Sequence, residues 1–330
     1  GVMALIPNLD VVDFLEAKDK LVRNINARDF VAPYQLQSSV WYDLAIDSRL
    51  LEKTYLQALN DLTFEEFQQH LSQAFDQVSI EGFEFGSIDQ QISKELQSFF
   101  KEEAKVSDGI FQAFPVPKVL SLDGSKTVYL SNQHEDQAVG LYYQFDRTLN
   151  NLAITNIVSR MIASDFFEEL RTEKQLGYVV SAGILKHNQA PWIRFMVQSP
   201  HTGCESIKSH IAAFIATQKE KMIALSDEDF EHVREGIIEE LELFPSGNMS
   251  QDFDFYYDKF VTGLYDFNIR QKLANEMKTL SKDQVISWWE ENIIGSERQI
   301  DIAVNCEGKQ QTDLIKLKSE LTYNRVGLLQ

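Results

Sequence analysis

Two kinds of hydrophobic pattern alternate along the second half of the chain. Apolar residues at three- and four-residue spacing predict a helix with one buried face, capped at Asn150 or Asn151 and broken at Gly177. Runs rich in β-branched and aromatic residues predict strands at 126–131, 139–145, 178–185 and 192–199. The last two strands flank the polar run KHNQAP, which predicts a hairpin with a long loop.

Helical patterns follow these strands. A helix is predicted over 205–225, and Ser226 with Asp229 indicates a capping-box-like start for another helix. Strands followed by helices predict an α+β domain, in which one sheet is covered by helices.

An internal repeat relates the two halves of the chain. Similar helical segments begin at Phe14 and Phe230, and the interval between them nearly equals the interval between Thr63 and Ser281, both predicted helix caps. Each copy continues with an aromatic-bearing helix and ends in an apolar run that predicts a strand, at 80–86 and at 298–304. Because the features occur in the same order at nearly constant spacing, we interpret them as two equivalent units.

The two units differ in what precedes them. The second copy follows the strands described above, whereas the first copy begins at Phe14, close to the start of the sequence. The Pro-rich run FPVPK at 114–118 is typical of a joint between units. We therefore expect a partial unit over 1–113, truncated at its N-terminus, and a complete unit over 114–330.

The charge of the chain excludes some classes of partner. The formal net charge is −19, and phosphate binding requires a clustered basic surface, so nucleic acids and anionic membranes are not expected partners. No run of about 18 apolar residues occurs, so no membrane span is predicted. Cys204 and Cys306 form neither a disulfide framework nor a zinc ribbon by their number and spacing, and they fit a soluble cytoplasmic or periplasmic protein equally.

The run FFEELRTEKQLGYVV at 166–180 carries the strongest functional signal. It closely resembles a segment in the C-terminal half of pitrilysin and insulysin, and the similarity extends from about Phe14 to Val304. These inverzincins are zinc metallopeptidases with four homologous α+β domains, whose two halves enclose a peptide. The resemblance implies that residues 1–113 are the rear part of the third domain and residues 114–330 a complete fourth domain.

The zinc motif of that family is absent from this sequence. The motif H-x-x-E-H places two histidines four residues apart on a helix, with a glutamate as general base. The six histidines here include no such pair; they lie at positions 70, 134, 187, 201, 210 and 232. We therefore expect no metal site in this chain, which should be inactive alone, and zinc in the full-length enzyme only by resemblance.

The resemblance implies that this chain, as the C-terminal half of such an enzyme, assists catalysis by the zinc-bearing half. Arg171 and Tyr178 match the family's arginine and tyrosine that reach into the cleft, where they stabilise the charge on the substrate carbonyl and hold its backbone. Of Phe166 and Phe167, one should fill the core, and Phe167 is a candidate to contact substrate. The residues alone favour a plainer interpretation, in which Arg171 pairs with a neighbouring glutamate and Tyr178 packs.

Three functions remain open at this level. In the first, the chain is the C-terminal half of a zinc metalloendopeptidase that cleaves enclosed peptides. The zinc-bearing N-terminal half would then lie on the same polypeptide or on another subunit. Alternatively, the chain is a non-catalytic peptide-binding subunit that partners a separate zinc-bearing chain, or a scaffold that has lost peptidase chemistry.

Overall fold

The computed structural model describes residues 9–74, 80–103, 116, 118–187 and 190–325. Its helices are α1 (Val11–Asn26), α2 (Pro33–Ala45), α3 (Glu52–Asp61), α4 (Phe64–Ala74), α5 (Gln90–Glu103), α6 (Leu149–Phe167), α7 (Cys204–Ala224), α8 (Asp227–Glu242), α9 (Met249–Val261), α10 (Ile269–Met277), α11 (Lys282–Trp289) and α12 (Leu314–Glu320). Its strands are β1 (Lys118–Ser121), β2 (Lys126–Leu130), β3 (Gln137–Gln144), β4 (Val179–His187), β5 (Ala190–Ser199), β6 (Gln299–Val304) and β7 (Thr322–Arg325).

Five strands form the main sheet, in the order β2–β6–β3–β5–β4. β2 and β6 are parallel and the other neighbours are antiparallel, while β1 and β7 form a separate two-stranded ribbon. The strands predicted at 126–131, 139–145, 178–185, 192–199 and 298–304 are confirmed. The predicted long polar loop is wrong, because the β4–β5 ladder continues to the pair His187–Ala190.

Helix α2 covers one face of the main sheet. Its apolar residues recur at helical spacing, and Trp41 stacks on Tyr142 of β3 with ring centroids 5.5 Å apart. Trp41 also meets the edge of Trp192 on β5, again at 5.5 Å. All three rings are almost fully buried, so this face of the sheet is sealed by aromatic packing.

The opposite face is covered by α6, α7 and α11. Phe166 of α6 lies 4.9 Å from Phe214 of α7 and 5.6 Å from Phe195 of β5, measured between ring centroids. Trp289 of α11 completes this layer at 6.3 Å from Phe195. The fold is therefore an α+β domain with one main sheet covered by helices, as predicted.

Helix starts agree with the predicted caps except at α6. The Ser226 side chain accepts a hydrogen bond from the backbone N–H of Asp229, and Ser281 forms a capping box with Gln284. Thr63 likewise exchanges hydrogen bonds with Glu66. The cap of α6 is Thr148 rather than Asn150 or Asn151, because the Thr148 hydroxyl accepts a hydrogen bond from the Asn151 N–H.

The predicted strand at 80–86 is wrong: the described residues of this segment belong to no strand. Phe83 and Phe85 are half-buried and alternate with exposed Gly82 and Glu84, which is the period of an extended chain. Their rings pack against aromatic residues of α9, including Phe253. Apolar alternation in the sequence therefore reflects packing on a helix and not strand pairing.

The chain divides into two compact units that do not coincide with the two sequence copies. One unit takes in the described residues within 1–25, 55–116 and 245–267, and the other takes in those within 26–54, 117–244 and 268–330. Helix α2 of the first sequence copy thus belongs to the second unit, and α9 of the second copy belongs to the first. The boundary predicted at 113/114 falls outside the described residues, and the assignment to third and fourth domains stays a prediction.

The two cysteines, for which the sequence predicted no disulfide framework, form a single disulfide. Cys204 begins α7 and Cys306 follows β6, with their Cα atoms 5.5 Å apart although they are separated by 102 residues in sequence. The bond therefore joins a helix that covers the sheet to the end of a central strand.

Reduction of this disulfide should lower the free energy of unfolding by about 2–4 kcal/mol, because the bond closes a long loop in the unfolded chain. Urea denaturation with and without dithiothreitol measures the difference. The double variant Cys204→Ser, Cys306→Ser is the control and should be insensitive to dithiothreitol. Equal stability of the oxidised and reduced wild-type proteins would contradict the prediction.

Candidate functional site

The segment at 166–180 leaves helix α6 through a widened turn. Residues Glu168–Glu173 form a π-helical turn directly after α6, with Leu170 buried and Arg171 exposed. Such turns are rare inside helices and occur frequently at functional sites. The turn places Arg171 on the outer surface while the helix remains anchored through Phe166 and Leu170.

Helix and strand are then joined by a tight connection. Gln175 adopts a left-handed conformation with φ of 50°, and the N–H of Leu176 donates to the carbonyl of Leu170 at 3.0 Å. A Cβ atom on Gly177 would lie 1.9 Å from the backbone oxygen of Gln198 on β5. Glycine is therefore required at 177, where the chain passes close to β5 before Tyr178.

Arg171 and Phe167 lie together on the exposed side of the turn. Phe167 is 41% exposed, whereas Phe166 is fully buried, so the predicted division between the two rings is observed. The guanidinium carbon of Arg171 lies 4.9 Å from the Phe167 ring centroid. In the described part of the chain Arg171 forms no ion pair, and the nearby Glu169 carboxylate instead pairs with Lys174 and Lys221.

Tyr178 presents its hydroxyl at the end of the main sheet. Its side chain is half-exposed, and the hydroxyl donates to Asp136 Oδ2 at 3.0 Å. The fully buried amide of Gln198 donates to the Tyr178 oxygen and to Asp136 Oδ2, each at 2.7 Å. Gln198 Oε1 accepts the N–H of Tyr34 at 3.0 Å, which ties this group to the start of α2.

Asp136 is held by contacts of its own backbone. Its N–H donates to His134 Nδ1 at 3.0 Å, and its carbonyl accepts from Asn305 Nδ2 at 2.9 Å. The residue is almost fully buried. A fixed carboxylate of this kind orients the donor that it accepts from, which here is the Tyr178 hydroxyl.

The surroundings of Tyr178 also alter its acidity. Partial burial of the phenol and the hydrogen bond to the Asp136 carboxylate raise the pKa of Tyr178, while the hydrogen bond from Gln198 opposes this rise. The hydroxyl is therefore protonated at neutral pH and available as a hydrogen-bond donor.

Two residues of this group, Asp136 and Gln198, were not predicted from the sequence. Asp136 belongs to a run interpreted only as a polar loop, and Gln198 lies within a predicted strand. A polar side chain near the end of an otherwise apolar strand was the available signal. The plainer interpretation of Tyr178, a ring that simply packs, does not describe a half-exposed phenol with two polar partners.

The described residues contain no cluster of three or more His, Cys, Asp or Glu side chains arranged to hold a metal ion. Both cysteines are used in the disulfide, and His134 accepts a backbone hydrogen bond through Nδ1. The part of the chain that the structure describes therefore does not fit a zinc site. Nor does any described helix have the length and apolar character needed to cross a membrane.

Comparison with known proteins identifies the relatives of this fold. A family described as PQQ synthase PqqF-like, C-terminal lobe domain 4, matches residues 157–253. The A-factor-processing enzyme of Saccharomyces cerevisiae is 28% identical over 308 residues, which cover 90% of this chain and 29% of that enzyme. The Homo sapiens insulin-degrading enzyme is 24% identical over 313 residues, which cover 90% of this chain and 30% of that enzyme. This chain is similar to the C-terminal lobe of an insulinase-type protease.

The fold of this chain is also that of a solved structure. The crystal structure of pitrilysin matches it with a TM-score of 0.79 at 16% identity, covering 96% of this chain and 35% of that chain. This chain spans about 30% of the length of the two relatives above. Homology thus connects it to zinc metallopeptidases through their C-terminal lobes.

Gly177→Ala should destabilise the protein by roughly 2 kcal/mol or more, because the new Cβ overlaps the Gln198 carbonyl and forces β4 away from β5. Urea denaturation measures the loss. Gly124→Ala is the matched control, since a Cβ at Gly124 meets no atom within 4 Å. A Gly177→Ala variant as stable as the Gly124→Ala control would show that the close approach is not required.

Proposed function

We propose that this chain is the C-terminal half of a zinc-dependent metalloendopeptidase that binds peptides and assists their hydrolysis. Similarity to C-terminal lobes of insulinase-type proteases supports the proposal. The proposed partners are the zinc-bearing half, on the same polypeptide or on a separate subunit, and the peptide substrates. Since the described residues do not fit a zinc site, the role of this chain is derived from its own side chains.

The observation that carries the proposal is Tyr178, a half-exposed residue whose hydroxyl is fixed at the end of the sheet. Attack on a peptide carbonyl places negative charge on its oxygen, and a fixed O–H donor stabilises that charge. In the free chain the donor is directed at Asp136. Rotation about the bond between the ring and the oxygen redirects it toward a substrate, while the hydrogen bond from Gln198 keeps the oxygen in place.

Arg171 and Phe167 complete the proposed surface. Stacking on Phe167 limits the positions of the Arg171 guanidinium, which carries planar donors suited to peptide carbonyl groups. The exposed ring of Phe167 offers an apolar contact to a substrate side chain. Both residues extend from the end of α6 and its π-helical turn, so the rigid helix supports them.

The disulfide favours an oxidising compartment for the protein. Disulfides persist in secreted and periplasmic proteins and are rare in the cytosol. Of the two compartments that the sequence left open, we propose the periplasm, on the ground that Cys204 and Cys306 are bonded.

Tyr178→Phe in the intact enzyme should lower kcat by roughly 10²-fold and change KM far less, because the lost donor acts mainly in the transition state. Steady-state kinetics on a short fluorogenic peptide, with a melting curve, measure this. Tyr55→Phe is the matched control, since Tyr55 is 40% exposed on helix α3 and is assigned no role. A normally folded Tyr178→Phe enzyme with unchanged kcat would refute the catalytic role of Tyr178.

A further inference from the structure

A cavity of about 130 Å³ opens beside helix α2, on the side of that helix next to β2 and the start of α12. The aliphatic part of its lining is formed by Leu36, Val40, Leu51, Leu130, Leu314 and Ile315. An engineered cavity of about 150 Å³ in another protein binds benzene, so this volume suits one apolar side chain.

Most of the charged residues that line the cavity are acidic. Four carboxylates, on Asp29, Asp43, Glu52 and Asp313, and two cations, on Arg28 and Lys53, line it. Two of the carboxylates have structural partners: Asp43 pairs with Arg49 at 3.0 Å, and Asp313 caps α12.

Among the carboxylates that line the cavity, Glu52 is paired only weakly. Its Oε2 lies 3.4 Å from Arg28 Nη1, a long separation for an ion pair, and the two side chains are partly exposed. Burial outweighs this weak pairing and raises the pKa of Glu52. A second cation beside Glu52 would therefore find an underpaired carboxylate next to the aliphatic lining of the cavity.

One cross-strand row connects this cavity with the candidate site. Leu130, which lines the cavity, pairs with Val304, and Val304 pairs with Ala138. Ala138 in turn pairs with Gln198, which pairs with Val179, the residue after Tyr178. Four strand spacings of about 4.8 Å give a separation of about 19 Å across the sheet.

The geometry points to a second peptide-binding site at this cavity: it accepts an apolar side chain adjacent to a lysine or arginine, and it lies about 19 Å across the sheet from the strand position next to Tyr178. The inference rests on the proposed function and specifies a substrate class, peptides with an apolar–basic pair. The net charge of −19 attracts such peptides over longer distances.

Binding of small probes to the chain tests the site without any peptidase activity. The probes are acetyl-Leu-Lys-amide, acetyl-Leu-Glu-amide and acetyl-leucinamide, titrated into methyl-labelled protein and followed by NMR. We expect methyl shifts centred on Leu36, Val40 and Leu314, and binding of the Lys probe roughly two- to five-fold tighter than that of the Glu probe, the range of a partly exposed ion pair. Shifts that centre elsewhere, or no saturable shift, would overturn the site.

Two variants separate the apolar and ionic parts. Leu36→Trp should fill the cavity and abolish binding of all three probes, and Leu21→Trp, at a position 40% exposed on α1, is its matched control. Glu52→Gln should leave acetyl-leucinamide binding unchanged and remove the preference for lysine over glutamate. A retained preference would overturn the role of Glu52. Tyr178→Phe should not alter probe binding, so failure of the peptidase role and failure of this site are distinguishable.

Discussion

The buried amide of Gln198 connects three parts of the fold at the end of the main sheet. It donates to Tyr178 and Asp136 and accepts from the backbone of Tyr34, so the starts of β4, β3 and α2 meet at one side chain. Leaving a buried amide unpaired costs about 1–3 kcal/mol of free energy, so a structure in which Gln198 lacks some of these hydrogen bonds is unfavourable. The backbone of Gln198 also restricts its neighbour, because a Cβ atom on Gly177 would overlap the Gln198 carbonyl.

Local patterns in the sequence predict the individual helices and strands, but they do not predict which elements pack against each other. Helical spacing identifies α6, and β-branched runs identify β3 and β5, because their periods differ. The apolar face of α2 is equally clear, yet nothing in its sequence says that it packs on the sheet formed by the second sequence copy. The same limit explains the segment at 80–86, whose alternating phenylalanines pack on α9 without pairing as a strand.

The candidate site shows a similar division. Arg171, Phe167 and Tyr178 were predicted from a motif that resembles a known family, and the structure places Arg171 on Phe167. Asp136 and Gln198 escaped prediction because their contacts join residues 42 and 20 positions from Tyr178, through strand pairing. The disulfide escaped for the same reason, since 102 residues separate its cysteines.

Asp136 and Gln198 act on the Tyr178 hydroxyl with opposite effects on its acidity. Uniform 3-fluorotyrosine labelling brings phenol titration into a pH range where the protein stays folded, and ¹⁹F NMR follows each ring, with Tyr178→Phe giving the assignment. Asp136→Asn removes an anionic acceptor and should lower the pKa at position 178. Gln198→Leu removes a donor to the phenolate and should raise that pKa. A pKa at 178 that is unchanged in both folded variants would show that neither residue holds the hydroxyl.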